Sequence, residues 1–127
     1  MRLYVMGVIL IATSSPSAAA DWRLADTANN GTRTYLDVSS IVISGDYRTV
    51  WQKVINSPAA HDGVSYSIVH WRYNCSTRTS TLLSFVEYKA NGVTITSQQI
   101  PSYEQEQQDV APDTIGETIL NAVCSSN

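Results

Sequence analysis

The chain has 127 residues, a net charge of −3 and 15% charged side chains, which bounds it to one domain with a single core. Its mildly acidic balance, with the basic residues scattered, argues against a nucleic-acid partner, because such partners reward a positive stripe. No run after residue 20 is long and apolar enough to span a bilayer.

The first element is a leader. Arg2 gives a basic start, Leu3 to Ala12 is apolar, and Thr13 to Ala20 is small and polar, with Ala18-x-Ala20 in front of Asp21. This three-part layout predicts a secretory signal peptide over residues 1–20, removed to leave a mature domain over 21–127. The apolar run is about half the length of a membrane-spanning helix. Loss of Arg2 moves the net charge from −3 to −4. No cysteine lies near the cleavage site to accept a lipid, so the expected product has neither membrane span nor lipid anchor and is periplasmic or secreted.

After Asp21 the apolar residues fall in short runs rich in Val, Ile, Tyr, Trp and Thr, broken by Gly, Asn, Asp and Pro, which is a strand pattern. Trp22 to Ala25 reads as a first strand, and Asn29-Asn30-Gly31 as a turn. Arg33 to Val38 reads as a second strand, and Ser44-Gly45-Asp46 turns the chain again. Tyr47 to Ile55 is a long third strand with Tyr47, Thr49, Trp51, Lys53 and Ile55 on one face, since side chains alternate along a strand. Asn56 to Gly63 is a loop. Val64 to Asn74 is a fourth strand, joined by a tight Cys75-Ser76-Thr77 connection to a fifth over Arg78 to Lys89. Asn91-Gly92 signals a hairpin into a sixth strand over Val93 to Gln99. Short connections between sequential strands imply an antiparallel meander.

Ile100 to Pro112 is polar and acidic and reads as a loop. The period then changes: Ile115, Ile119, Leu120 and Val123 have the spacing of an amphipathic helix. Thr114 with Glu117 fits a capping box, and Asp113 is the alternative cap. The expected fold is α+β: an antiparallel sheet of about six strands, with one C-terminal helix packed on it. In an exported chain the two cysteines, Cys75 and Cys124, most simply form one bridge between the end of the fourth strand and the helix; two free buried thiols are the alternative.

No motif carries a chemistry. His61 reads as a loop histidine and His70 as a mid-strand face position, and no Cys/His cluster offers a metal site. No Gly-x-Ser-x-Gly elbow and no phosphate-binding glycine loop is present. A Ser–His–Asp site could only assemble in space, drawing on His61 or His70 and a carboxylate. Asp26, Asp37 and Glu87 are the carboxylates considered for pairing, with Asp37 read instead as fixing the turn after the second strand. No catalytic residue and no cofactor is expected. The aromatics are more informative: if the helix covers one sheet face, some rings stand on the other, and rings with arginine suit protein interfaces. Tyr47, Trp51, Trp71 and Arg72 are the candidate contacts.

Trp22, the Tyr35-Leu36-Asp37 segment with Ser40-Ile41, the strand Tyr47-Arg48-Thr49-Val50-Trp51, Tyr73-Asn74-Cys75, and Pro112-Asp113-Thr114-Ile115-Gly116-Glu117 leading to Ala122-Val123-Cys124 together resemble the surface-adhesin protein E family of Gram-negative bacteria. The resemblance implies a six-stranded antiparallel sheet, a C-terminal helix, a Cys75–Cys124 disulfide and dimerisation. Its founding member is a lipid-anchored adhesin for host matrix proteins such as vitronectin and laminin. The expected function is therefore an exported, non-enzymatic module that binds a host matrix or bacterial envelope protein, or a second copy of itself, through the open sheet face. The alternative reading is a periplasmic accessory or structural protein without an adhesion role, favoured by the missing anchor cysteine and the lack of any Lys/Arg-rich segment.

Overall fold

The structure is a computed structural model that describes residues 19–58 and 63–125. His61, Asp62 and the apolar leader run lie outside the described residues. One antiparallel sheet is built from β1 (Trp22–Thr27), β2 (Arg33–Asp37), β3 (Val42–Ser44), β4 (Tyr47–Ile55), β5 (Tyr66–Asn74), β6 (Thr79–Tyr88), β7 (Thr94–Gln99) and β8 (Gln107–Asp109), and the helix α1 (Ile115–Cys124) closes the described chain. The strand order is β1-β2-β4-β5-β6-β7, with β3 added to β4 and β8 to β6. The meander expected from the sequence is thus extended by β3 and β8. Each has three residues and pairs along three positions, too few for alternation to show. β8 falls inside the segment read as a loop.

The turns follow from local chemistry. β3 and β4 meet at Ser44 and Tyr47, leaving Gly45 and Asp46 as a two-residue connection in which Gly45 adopts φ 59°, a region costly for a residue with a Cβ. Between β5 and β6 the Asn74 Oδ1 accepts hydrogen bonds from the Ser76 and Thr77 amides, which folds the four residues 75–78 tightly. The β5–β6 register shifts between His70 and Trp71. The extra residue is Leu83, whose carbonyl accepts from the Ile100 amide.

Asp37 ends β2. It is 8% exposed, and its Oδ1 accepts from the Asp21 amide, the Ser39 amide and the Ser39 hydroxyl. Burial acts to raise its pKa, but these hydrogen bonds outweigh it and hold the carboxyl below its ordinary value. The turn role read from the sequence is the one observed.

The core lies between the sheet and α1. Ile119, Leu120 and Val123 of the helix meet Leu36, Val50 and Tyr73 of the sheet, with Trp71, Ala25, Ile41 and Val110 packed around them. Within this layer the buried Gln52 side-chain amide donates to the Tyr73 hydroxyl, so neither polar group is stranded. Burial pushes the Tyr73 phenol well above its ordinary value. Thr114 is the helix N-cap, its Oγ1 accepting from the Glu117 amide; the Glu117 carboxylate reaches back to the Asp113 amide. Arg78, in the turn after β5, donates to Asn121 and pairs with Glu117 at 3.6 Å.

Cys75 and Cys124 are bonded, with Cα atoms 5.7 Å apart, and bind the helix end to the end of β5 across a sequence separation of 49. A loop of that size stabilises a fold by about 4 kcal/mol on the chain-entropy account. Replacing both cysteines by serine should lower stability by about 2–4 kcal/mol in urea unfolding, with the helical signal lost before the sheet signal. Asp37→Ala should cost about 0.5–2 kcal/mol at neutral pH. Because the folded carboxyl has the lower pKa, its contribution is complete above pH 3.8 and is lost as pH falls below it, so the gap between variant and wild type should shrink from pH 5 to pH 2.

Candidate functional site

A ten-residue helix covers only part of one face of this sheet, and cross-strand register decides which side chains stand on the other. β4 pairs with β5 so that Thr49 opposes Arg72, Trp51 opposes His70, Lys53 opposes Ile68 and Ile55 opposes Tyr66. Tyr35 of β2 opposes Lys53, and Arg33 opposes Ile55. Tyr88 of β6 opposes Tyr66, and Val42 of β3 opposes Thr49. All these residues share the face away from α1, since Val50 and Tyr73 of the intervening positions are the ones buried beneath the helix.

The rings on this face are ordered by one another and by cations. Trp51 and His70 stack with centroids 4.3 Å apart and planes 5° apart. Tyr66 and Tyr88 stack at 4.7 Å. Lys53 Nζ sits 5.2 Å from the Tyr66 ring, the Arg72 guanidinium 5.6 Å from Tyr47, and the Arg33 guanidinium 6.0 Å from Tyr35. Each is a cation–π contact. Burial among these side chains lowers the pKa of His70, disfavouring its charged form. The face is accessible: Val42 is 60% exposed and Tyr47 44%. A shallow hollow of about 360 Å³ opens between Val42, Tyr47, Thr49 and Arg72.

Of the sequence-derived candidates, the structure brings Tyr47, Trp51 and Arg72 together on this face. Trp71 is corrected to the opposite face: it opposes Val50 and packs against the core under the helix. The reason is the strand period, because neighbours such as Trp71 and Arg72 cannot point to the same side. Trp71 there forms one wall of a hollow with Ser80, Leu82, Ile100, Glu104 and Glu106. Sequence reasoning set Lys53 on the strand face of Tyr47 and Trp51 but did not name it, or Arg33, Tyr35, Tyr66, His70 and Tyr88, as a contact of the open face. Alternation along each strand held the signal, but the pairing register needed to align the strands did not follow from it.

Among the described residues, which do not include His61, the groups considered for catalysis are not gathered. His70 is occupied by its stack on Trp51. Asp37 is held in its turn, while Asp26 opposes Thr34 and Glu87 opposes Ser67 on the helix side. Among the described residues no group of three His, Cys, Asp or Glu side chains is placed to hold a metal ion. The arrangement is a preorganised aromatic and cationic surface, of the kind suited to protein contact.

Comparison with known proteins agrees with this architecture. The family model of surface-adhesin protein E matches residues 22–125. The selenomethionine form of Haemophilus influenzae protein E superposes with a TM-score of 0.58 at 15% identity, covering 85% of this chain and 92% of that one. A second crystal form of that protein gives 0.58 at 15% identity, over 84% and 92%. Protein E from non-typeable Haemophilus influenzae gives 0.56 at 13% identity, over 87% and 81%. At these identities the likeness concerns the fold. No curated protein matches in sequence. The match over nearly the whole described chain assigns the protein to the surface-adhesin protein E family.

Proposed function

We propose that this chain is an exported, non-enzymatic binding module that engages a protein of the host matrix or of the bacterial envelope through its open sheet face. One observation carries the reading: Tyr47, Trp51 and Arg72, with Lys53, Tyr66 and Tyr88, converge from separate strands on the face that α1 leaves uncovered. Such rings lose little conformational freedom on binding because they are already stacked, and aromatic and arginine side chains dominate binding energy at protein interfaces. Family membership supports adhesion and export, the signal-peptide pattern over residues 1–20 supports export independently, and adhesion is not a class of reaction.

The second reading, a periplasmic accessory protein, is favoured by one observation. The chain's two cysteines are bonded to each other, which leaves no thiol for a lipid anchor. Protease shaving of intact cells, read with an antibody to the mature domain, separates the two: cleavage at the surface supports the adhesin role, and protection assigns the protein to the periplasm. For the face itself, Trp51→Ala and Tyr47→Ala should each weaken binding to immobilised vitronectin or laminin about tenfold without changing the melting temperature by more than a few degrees. Unchanged binding in both variants, with Trp71→Ala as the comparison from the other face, would remove the open face from the account.

A further inference from the structure

Asp37 is a buried carboxylate, yet among the described residues the ion pairs are Arg23 with Asp21 and Arg78 with Glu117, and neither involves it. Its charge is held by hydrogen bonds from Asp21 and Ser39 and by no counter-charge among the described residues. Its closest main-chain partner is the nitrogen of Asp21, 2.9 Å from Oδ1. That nitrogen belongs to the residue directly after the Ala18-x-Ala20 cleavage pattern. We infer that Asp37 is the receiving site for the α-ammonium group released when a signal peptidase hydrolyses the Ala20–Asp21 bond.

In that step water supplies a hydroxyl to the Ala20 carbonyl, which leaves as a carboxylate, and the Asp21 nitrogen takes up protons to become an ammonium. The amide–carboxylate hydrogen bond of the precursor becomes a charge-assisted pair. The register prepares it: Trp22 opposes Asp37, and the Val38 amide donates to the Asp21 carbonyl at 3.1 Å, so the fold holds the nitrogen at the carboxylate. Processing would then supply the missing counter-charge and lock the edge strand β1.

The test uses the exported protein. N-terminal sequencing should begin at Asp21. A precursor with one glycine inserted between Ala20 and Asp21 should yield a domain that begins one residue early and melts about 5 °C lower. In an Asp37→Asn background the two forms should melt together. If the extended form is degraded, acetylation of the α-amino group of the folded wild-type domain gives the same readout. A different start site, equal melting of the two forms, or a gap that survives Asp37→Asn would overturn the inference.

A separate observation concerns the partner, and rests on the reading of the open face as the binding face. Arg33, Lys53 and Arg72 come from β2, β4 and β5, each lies against a ring, and none is paired with a carboxylate among the described residues. Arg33 and Lys53 are diagonal neighbours, and Arg72 lies four residues along β5 from the position opposite Lys53, roughly 13 Å away at the strand rise. Trp51 and His70 stand between Lys53 and Arg72, Ile68 lies opposite Lys53, and the hollow beside Val42 opens at Arg72. The geometry points to a polypeptide that presents acidic side chains around apolar ones. The unpaired cations favour acidic side chains, and Tyr66, which carries both Tyr88 and Lys53, is already engaged by its neighbours.

Three probes test this on the mature domain: a glutamate–tyrosine copolymer, poly-glutamate and heparin. Binding should be tightest for the copolymer and fall with added salt. The triple variant Arg33→Gln, Lys53→Gln, Arg72→Gln should bind it at least tenfold more weakly with unchanged melting. Tighter binding of heparin would make the ligand a polysaccharide and overturn the choice, as would equal binding by the variant or no binding of the copolymer. If the triple variant keeps vitronectin or laminin while Trp51→Ala loses it, the open face stands as the binding face and the acidic partner falls.

Discussion

The alternation of side chains along β4 and β5 is the constraint on which the molecule depends. Val50, Gln52, Trp71 and Tyr73 must share one side, and Thr49, Trp51, Lys53, His70 and Arg72 the other. A single short helix can bury only the first set. The disulfide makes that choice permanent, since Cys75 at the end of β5 and Cys124 at the end of α1 fix the helix end to the sheet. Arg78 reinforces it from the adjoining turn through Asn121 and Glu117, and it does so with φ at 56°, a conformation a non-glycine residue adopts at some cost. Covering one face and leaving the other open is therefore a single event, not two.

What the open face then does follows from how its residues solve their own solvation. Large rings left half in water gain by stacking on each other across strands, and cations with no carboxylate at hand gain by lying on ring faces. The result is a surface whose side chains are already ordered. Among the described residues, Asp26 and Glu87 lie on the helix side, Glu104 and Glu106 beyond β7, and Asp113 and Glu117 at the helix start. A chain that is acidic as a whole can thus present a locally basic face, a distinction that net charge conceals.

Much of the fold was legible because it rests on local signals. Alternation in Tyr47–Ile55, Asn91-Gly92 between β6 and β7, and Thr114 with Glu117 at the helix start each involve residues close in sequence. β3 and β8 were not legible, since Val42–Ser44 and Gln107–Asp109 are each too short to alternate, and the Gln107 side-chain bonds to Thr77 and Thr79 join residues about thirty apart in sequence. The site was legible only in part. Tyr47, Trp51 and Arg72 came from strands read correctly, but Trp71 was grouped with them although it neighbours Arg72 and so must face the other way. The basic face was invisible for a different reason: Arg33, Lys53 and Arg72 are about twenty residues apart, and a search for a Lys/Arg-rich segment finds nothing when three strands contribute one cation each.

The same reasoning explains why the edge strand β1 needs attention at its start. An edge strand holds only one neighbour, and β1 contains a register shift between Leu24 and Asp26 that interrupts its pairing with β2. Its first residues add to the anchoring that Ala25 takes from the core and that pairing with β2 supplies beyond the shift. Trp22 opposes Asp37, the Asp21 carbonyl takes the Val38 amide, and the Asp21 nitrogen meets the Asp37 carboxylate. Asp37 also sets the turn through Ser39, and Ser40 in that turn accepts the Trp51 amide, which ties the β1 anchor to the middle of β4. A carboxylate at this junction holds the turn, the edge strand and the strand that carries Trp51 in one hydrogen-bonded unit. Strengthening its bond to Asp21 would therefore stiffen the open face at its centre, a route by which export itself could finish the binding surface.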